Sequence, residues 1–385
     1  MVDIHDAAVQ AVLIGRPACA TLTRAERNGY AGRRVLVTGA GGSVGSELVR
    51  RLAVCGPARL TLVDQSEYNL FQIERQVAAR WPDLRVDAVL GDITRPRVIQ
   101  TACATSHPDV VFHAAAYKHV TMLERDVCAG VEANVLGTLS VVRAAKAVGA
   151  RFVLISSDKA VNPSSVMGAT KRLAELVTLG QMDKSFRPAI VRFGNVLGSS
   201  GSVLELMADC LRRHQPIPIT HVDATRFFMT GSEAATLVLR ADLLRLGGEV
   251  CWLDMGRPVR ILDIAKRLNA LASAAGTPAV PISVIGLRPG EKLDEELTVR
   301  GMKLSRTDHA RVWIAEQPPV DTDVLRRTIR SLRVDVSRGD GLSTLADLCA
   351  AVPEYEPSED ARRSAGSATL AAPYTTEEAA CRLVA

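Results

Sequence analysis

The sequence RRVLVTGAGGSVGSELVRRL, residues 33–52, decides the fold of this chain. Its first part, Arg33–Thr38, is apolar and partly β-branched, which predicts a buried strand, and the run at 46–52 predicts a helix after it. Glycines at positions 39, 42 and 45 allow a tight turn, close approach of the backbone to a pyrophosphate, and close helix packing. The amino terminus of the helix also favours a phosphate. The stretch therefore predicts a dinucleotide-binding turn.

A second strand supports this interpretation. Leu60–Asp64 is an apolar run that ends in an acid about 20 positions after the last glycine, where a carboxylate contacts the adenosine ribose hydroxyls. The absence of an arginine directly after Asp64 favours NAD over NADP, and we expect NAD (or NADP) as the cofactor. The cofactor-binding residues expected from these two segments are Thr38, Gly39, Gly42, Ser43, Val44, Gly45, Asp64, Gln65, Ser66 and Asn69.

Two further strands and a helix continue the pattern. Val86–Ile93 carries an aspartate that can meet the adenine, and Asp109–Ala116 ends in small residues that let a cofactor lie flat against the backbone. Tyr117, Lys118 and His119 follow at the same edge, where they either bind a ligand or only shape the loop. The further cofactor-binding residues expected are Asp92, Ile93, Ala114, Ala115, Ala116, Lys118, Asn134 and Ser156.

The chemistry is expected at RFVLISSDKAVNPSSVMGATK, residues 151–171. Phe152–Ile155 predicts a buried strand that delivers an acid, Asp158, and a candidate base, Lys159, to its carboxyl end, where ligands bind in open parallel sheets. Lys171 follows on a predicted helix. The alternative is an exposed strand end with an ion pair of no function. Because strands and helices alternate five times, the sequence predicts an α/β, Rossmann-type, doubly wound parallel sheet.

Composition restricts the class of protein. The chain has 385 residues, 47% of them hydrophobic and 23% charged, with a formal net charge of +5 from scattered basic residues. This is ordinary globular composition, and it does not suggest a nucleic-acid partner. No membrane span or secretory signal is recognised, so we expect a cytoplasmic protein that does not contact a membrane. Eight cysteines without a CxxC pair argue against a zinc site and a disulfide framework, and no metal is expected.

The sequence divides into four regions. Residues 1–32 are interpreted as a leader with a short amphipathic helix, 33–195 as the dinucleotide-binding domain, 196–357 as a smaller C-terminal α/β region, and 358–385 as a disordered tail. In the third region, TRFFMT (225–230) and GLRPGEKL (286–293) carry arginines that can clamp a diphosphate. Solvated loops are the equally weighted alternative for both segments.

Several motifs together resemble a known family. They are TGAGGSVGSEL (38–48), HAAAYKHV (113–120), NVLGT (134–138), SSDKAVNPSSVMGATKR (156–172), RFGNVLGSSGSV (192–203), TRFFMT (225–230) and LRPGEKLDEEL (287–297). In this order they resemble the polysaccharide-biosynthesis branch of the extended short-chain dehydrogenases/reductases, whose members are UDP-N-acetylglucosamine 4,6-dehydratases. The resemblance covers roughly residues 12–357. It is strongest to the catalytic domain of the longer, membrane-anchored members.

The resemblance implies a reaction and its residues. Hydride would leave C4 of a UDP-sugar for a tightly bound, recycled NAD(P)⁺, a base would remove the C5 hydrogen, an acid would protonate the departing C6 hydroxyl, and the hydride would return to C6. Asp158 would be the acid, Lys159 the base, with a pKa that we expect to be lowered toward neutrality, and Lys171 the holder of the nicotinamide ribose. The implied substrate-binding residues are Lys118, His119, Asp158, Lys159, Asn195, Val196, Val203, Arg226, Met229, Arg288 and Glu291.

One catalytic position departs from the superfamily. A tyrosine usually stands four residues before the lysine, where Met167 stands here, and a thioether cannot accept the C4 hydroxyl proton. Lys171, or Asp158 through water, is the expected substitute. A 5,6-dehydratase and a C4 or C5 epimerase remain the alternatives within the fold, and a non-catalytic NAD-binding assembly subunit is the alternative outside enzymology. We also expect a homo-oligomer, a dimer or larger.

Overall fold

A nine-stranded sheet forms the centre of the molecule. The computed structural model describes residues 2–18, 21–297 and 303–367. The strands are β1 (Arg34–Thr38), β2 (Arg59–Asp64), β3 (Val86–Leu90), β4 (Val110–His113), β5 (Arg151–Ile155), β6 (Ala189–Arg192), β7 (Asn195–Val196), β8 (Ile217–Ile219), β9 (Thr225–Arg226), β10 (Phe228–Met229), β11 (Val250–Leu253), β12 (Val259–Arg260), β13 (Ile282–Val284), β14 (Leu304–Arg306) and β15 (Val312–Ala315).

The order of the large sheet is β3-β2-β1-β4-β5-β6-β11-β15-β14. The first seven strands are parallel, and β15 and β14 close one edge in antiparallel pairs. The chain reverses its direction of winding between β1 and β4, which puts a crevice at the carboxyl ends of these strands. The predicted doubly wound sheet is confirmed.

Helices cover both faces of the sheet. They are α1 (Ala7–Ile14), α2 (Arg24–Asn28), α3 (Ser43–Ala53), α4 (Glu67–Arg80), α5 (Pro96–Ser106), α6 (Val120–Leu123), α7 (Val127–Val131), α8 (Thr138–Ala147), α9 (Val166–Leu179), α10 (Val203–Arg212), α11 (Gly231–Leu243), α12 (Ile261–Ala274), α13 (Thr322–Arg338), α14 (Gly341–Ala351) and α15 (Glu359–Gly366). Buried apolar residues of α3, α4 and α11 form the core on one face, and those of α5, α8, α9, α13 and α14 form the core on the other. Because helices cover both faces of the sheet, the sequences of its strands are nearly continuous apolar runs.

A third apolar core lies beside the sheet. It joins α10, α12 and β8, and the leader helix α1 packs into it with Leu13 and Ile14. Arg16 fastens the leader further: its guanidinium donates to both carboxylate oxygens of Glu233, at 2.7 and 3.1 Å, and to the Phe228 carbonyl. Glu233 is fully buried and also pairs with Arg311. A short helix therefore forms within residues 1–32, and it packs against α12.

One prediction for the tail is wrong. Disorder was expected from residue 358 onward, whereas α15 forms there, with the Ser358 hydroxyl accepting from Ala361 N–H and Ala361 buried. Ser358 also donates to Glu124. A short helix with one buried alanine has too little apolar periodicity to stand out in a sequence. The remainder of the predicted tail, 368–385, lies outside the described residues.

One helical run has the length and hydropathy of a membrane span. Among the described residues this run is Val127–Ala147, that is α7, a π-helical turn at Glu132–Gly137 and α8, and 61% of its most apolar 18-residue window is buried inside the fold. Its apolar residues belong to the core against α5 and α9.

Candidate active site

The glycine turn between β1 and α3 forms a backbone cradle. Gly39 has φ +64°, and a Cβ there would lie 2.6 Å from the Ala115 backbone nitrogen, so no other residue fits without displacement. A Cβ on Gly45 would collide with the Gly39 carbonyl oxygen. The α3 N-cap, Gly42, provides no side-chain hydrogen bond, which leaves the first helical N–H groups available to an anion.

Asp64 braces this turn from the end of β2. Its carboxylate accepts from Gly41 N–H at 2.9 Å and from Ser66 N–H at 2.9 Å. Ser66 in turn caps α4 by accepting from Asn69 N–H. Asp64, which is predicted to meet the ribose, therefore also connects the turn before α3 to the turn before α4.

A cavity of about 470 Å³, here called the turn cavity, opens above the cradle. It lies between α3, the ends of β4 and β5, and the 193–204 segment, and the N–H groups of the cradle suit the pyrophosphate of a dinucleotide. The residues thus fit the expected cofactor. The predicted cofactor-binding residues that line it are Gly42, Ser43, Val44, Gly45, Asn69, Ala114, Ala116, Lys118, Ser156 and Lys171.

Other predicted cofactor residues do not line this cavity. Thr38 hydrogen-bonds His113 at 2.6 Å inside the core. Asn134 is buried and pairs with both the N–H and the C=O of Tyr117, which fixes the course of that loop. Asp92 accepts from Thr94 N–H at a turn. The predicted residues that do not line the cavity are Thr38, Gly39, Asp64, Gln65, Ser66, Asp92, Ile93, Ala115 and Asn134.

A second cavity of about 240 Å³ adjoins the first. We call it the basic cavity because five basic side chains line it against two acidic ones. These are Lys118, Lys159, Arg226, Arg288 and Lys292, with Glu291 and Glu295. The residues shared by both cavities are Lys118, His119, Lys159, Asn195, Gly201 and Val203. The two cavities therefore meet at the end of β5.

Lys159 occupies the junction. Its ammonium lies 3.1 Å from Asp158 Oδ1, 3.1 Å from Asn195 Oδ1 and 3.1 Å from Glu295 Oε1. Burial lowers the pKa of Lys159, but the carboxylates of Asp158 and Glu295 more than offset this, so its pKa is raised above the usual value. The expectation that the pKa of Lys159 is lowered toward neutrality is wrong for the protein itself.

Asp158 lies deeper than its neighbour. Its side chain is fully buried and lines neither cavity. Burial raises the pKa of the Asp158 carboxyl, with Glu295 adding to the rise and Lys159 opposing it. Its Oδ1 accepts from the Ser157 hydroxyl at 3.0 Å, and Ser157 does line the turn cavity. The acid predicted from the sequence thus reaches the cavity wall through a hydroxyl that the sequence interpretation did not single out.

Met167 and Lys171 stand together on α9 in the wall of the turn cavity. Lys171 Nζ donates to the Ile155 carbonyl at 2.6 Å. Burial lowers the pKa of Lys171 to about 8, against a small opposing effect of the Glu175 carboxylate. Glu175 itself is buried, where it accepts from Ser156 and pairs with Arg192. Of the two expected substitutes for the missing phenol, Lys171 is the one that lines the cavity.

Arg226 organises the 291–295 segment. Its guanidinium donates to the carbonyls of Leu293 and Lys292, at 2.9 and 2.8 Å, and to Glu291 Oε1 at 3.0 Å. Its side chain is only 7% exposed. Arg226 also lines the basic cavity, so its expected contact with a diphosphate stays a prediction. Arg288 of the same loop lines the basic cavity, and burial lowers its pKa.

The remaining predicted substrate residues divide between the cavities. Lys118, His119, Asn195 and Val203 line both, and burial lowers the pKa values of Lys118 and His119. Val196 lines only the turn cavity. Met229 is fully buried, pairs with Val196 across the β7–β10 ladder and lines neither cavity. Its contribution is to hold β7 in place.

The fold and these adjoining cavities define the class: an extended short-chain dehydrogenase/reductase, with a nucleotide cradle at the switch point of a doubly wound sheet. A family model described as "Polysaccharide biosynthesis protein" matches residues 35–317, which is most of the chain. The chain belongs to this family, and the resemblance predicted from its motifs is confirmed.

Curated relatives support the same placement. The chain is 40% identical over 321 residues to a probable polysaccharide biosynthesis protein, EpsC, of Bacillus subtilis, covering 82% of this chain and 53% of the relative. An uncharacterized membrane protein of Methanocaldococcus jannaschii is 39% identical over 71% of this chain and 82% of its own length. UDP-N-acetylglucosamine 4,6-dehydratase (inverting) of Campylobacter jejuni is 29% identical over 68% of this chain and 76% of its own length. The chain thus spans about half the length of EpsC.

A solved structure extends the likeness to three dimensions. The X-ray structure of Pen from Bacillus thuringiensis superposes with a TM-score of 0.69 at 28% identity, over 78% of this chain and 98% of that one.

Proposed function

We propose that this chain is an NAD-dependent UDP-N-acetylglucosamine 4,6-dehydratase, a lyase that produces a UDP-4-keto-6-deoxyhexosamine. The observation that carries the proposal is the position of Lys159 Nζ, at the junction of a cavity suited to a dinucleotide and a basic cavity suited to a sugar diphosphate. A base at this junction reaches both a sugar carbon and the cofactor wall. The similarity to the Campylobacter jejuni dehydratase supports the choice of reaction.

The roles of the side chains follow from their positions. Bound NAD would supply reversible acceptance of hydride. Lys171, in the cofactor wall and with a pKa of about 8, takes the proton of the C4 hydroxyl. Lys159 in its neutral form takes the C5 proton. Arg288 and Lys118 in the basic cavity attract the diphosphate.

Asp158 supplies the proton for the departing C6 hydroxyl. Because its carboxyl is buried, the proton passes through the Ser157 hydroxyl. In the structure this hydroxyl donates to Asp158 Oδ1; in the step it turns, gives its own proton to the leaving oxygen and takes one from Asp158. The C6–O bond breaks, water leaves, and Asp158 ends as a carboxylate. Burial raises the pKa of Asp158, which favours the protonated form that the step needs.

The test is proton NMR of UDP-N-acetylglucosamine incubated with the purified protein in deuterated water. A C6 methyl signal with deuterium at C5, lost in Asp158→Asn and Lys159→Ala, is the expected result. An exocyclic alkene signal would replace the proposal by 5,6-dehydration, and C5 exchange or C4 inversion without loss of water would replace it by epimerisation. An unchanged substrate, with NAD still bound, would favour a non-catalytic subunit or another nucleotide-sugar.

Location and assembly are part of the same proposal. We propose a cytoplasmic, homo-oligomeric protein whose small-molecule partner is a UDP-sugar, with no nucleic-acid or membrane partner. Light scattering of the purified chain measures its mass directly, and cell fractionation measures its location.

A further inference from the structure

Glu295 comes from a distant part of the sequence and contacts Lys159, the proposed catalytic base. Its side chain is 5% exposed, its Oε1 lies 3.1 Å from Lys159 Nζ and 3.5 Å from Arg226 Nε, and it lines the basic cavity beside both. Asp158, the other carboxylate at Lys159, lines neither cavity. Glu295 is therefore the carboxylate that meets Lys159 on the side of the incoming substrate.

Arg226 determines where Glu295 stands. Four of its hydrogen bonds, to Thr225 and to residues 291–293, are 2.7–3.0 Å long. The Thr220 hydroxyl also donates to Glu291 Oε1 at 2.9 Å. These bonds fix the loop that begins at Arg288 and ends at Glu295. A ligand that contacts Arg288 thus contacts the same short loop that delivers Glu295 to Lys159.

We propose that Glu295 is a positioning residue of the acid–base site, which holds the Lys159 amine at the junction of the cavities and links its orientation to the loop that carries Arg288. This inference rests on the proposed function for its chemistry, although the contacts stand without it.

The charges around Lys159 give the inference a measurable consequence. Asp158 and Glu295 both raise its pKa, while burial and the Arg226 guanidinium lower it. An opposite charge at this distance shifts a pKa by about 1–3 units. Replacing Glu295 by its uncharged isostere should therefore lower the pKa of Lys159 by about one unit or more.

The experiment compares Glu295→Gln with Glu296→Gln. Glu296 belongs to the same segment but is half-exposed and contacts Asn162 and Lys292 instead of the base. Competitive acetylation of lysines across a pH series, read by peptide mass spectrometry, gives the pKa of Lys159, whose side chain is 22% exposed. We expect the lower pKa in Glu295→Gln only. Glu295→Asp, which keeps the charge on a shorter side chain, should give an intermediate value.

An unchanged pKa in Glu295→Gln, or an equal fall in Glu296→Gln, overturns the inference. Turnover provides a second measurement: Glu295→Gln should lose about tenfold or more in kcat with KM changed less than about threefold. A wild-type protein that leaves UDP-N-acetylglucosamine unchanged would defeat the proposed function, while the labelling result would still decide the role of Glu295. The two failures are thereby distinguishable.

Discussion

The turn cavity and the basic cavity are built in different ways. The turn cavity owes its shape to backbone: positive φ at Gly39, packing of Gly45 on Gly39, and a helix end without a side-chain cap. The basic cavity owes its shape to side chains from distant segments, among them Lys118, Arg226 and Glu295. A backbone cradle recognises what all dinucleotides share, whereas a cavity of side chains can change with the substrate.

The largest expected effect tests Lys159, one of the six residues that line both cavities. Lys159→Arg keeps a positive charge for Asp158 and Glu295, but a guanidinium cannot release its proton in a protein. We expect C5 deuterium exchange to fall about 1,000-fold or more, as for loss of a general base. The measurement is the NMR exchange rate, with NAD affinity as the control. Exchange within tenfold of wild type would remove Lys159 from the role of base.

The next effect should be confined to the turn cavity. Gly45→Ala places a methyl group against the Gly39 carbonyl oxygen, so the cradle must shift. We expect NAD affinity to fall about 100-fold, which corresponds to about 2.7 kcal/mol, measured by calorimetric titration, with UDP affinity unchanged. Gly231→Ala is the control, because its Cβ would meet its nearest neighbour at 3.8 Å. Equal loss of UDP binding would show that the two cavities are not independent.

A smaller effect is expected where α9 supports the junction. The Cβ of Gly168→Ala would press on the Lys159 carbonyl oxygen and lie 3.0 Å from Pro163. A displaced Lys159 should reduce kcat about tenfold without loss of NAD binding. Gly130→Ala, on α7, is the matched control, since its Cβ would find only ordinary contacts at 3.5 Å. Indistinguishable rates in the two variants would mean that the backbone of Lys159 tolerates the shift.

The smallest effect is one of stability against pH. Lys171 has a folded-state pKa of about 8 against an ordinary value of 10.5, so between these pH values the unfolded chain binds more protons and stability rises with pH. The rise is at most about 1.4 kcal/mol per pH unit. Denaturant unfolding of wild type and Lys171→Met should show this slope only in wild type. Buried thiols such as Cys103, whose pKa is raised to about 12, have the opposite effect on stability in both proteins. Subtracting the slope of Lys171→Met from that of wild type cancels this effect.

The local part of the site was predictable, and the long-range part was only partly so. The glycine turn and Asp64 could be recognised because strand, turn and acid follow one another within about 30 residues, the length of one βαβ unit. Glu295 was missed although its segment, LRPGEKLDEEL, was singled out: four acidic residues stand in that stretch, and no local pattern shows which one faces Lys159. Glu295 is distinguished by its buried side chain, which is 5% exposed, and burial depends on the whole fold.

The corrections have the same origin. Lys159 was expected to have a lowered pKa because it lies beside a cofactor site, but two carboxylates surround it, and one of them is distant in sequence. Arg226 also donates to the carbonyls of a later loop, and its own motif does not predict these partners. Residue type and spacing predict what a side chain can do. The partners it finds depend on which segments the sheet topology brings beside it.

The ion pair between Arg16 and Glu233 also orders events during synthesis. Its two residues are 217 positions apart, so the leader emerges from the ribosome long before the buried carboxylate that it must reach. Until α11 has formed, α1 has neither its charged partner nor the apolar core beside α12. Contacts of such separation form late, because the loop between them must first be closed. Helix α1 is therefore expected to be among the last of these elements to dock, and pulse-labelled hydrogen exchange during refolding would show its amides protected after those of the sheet.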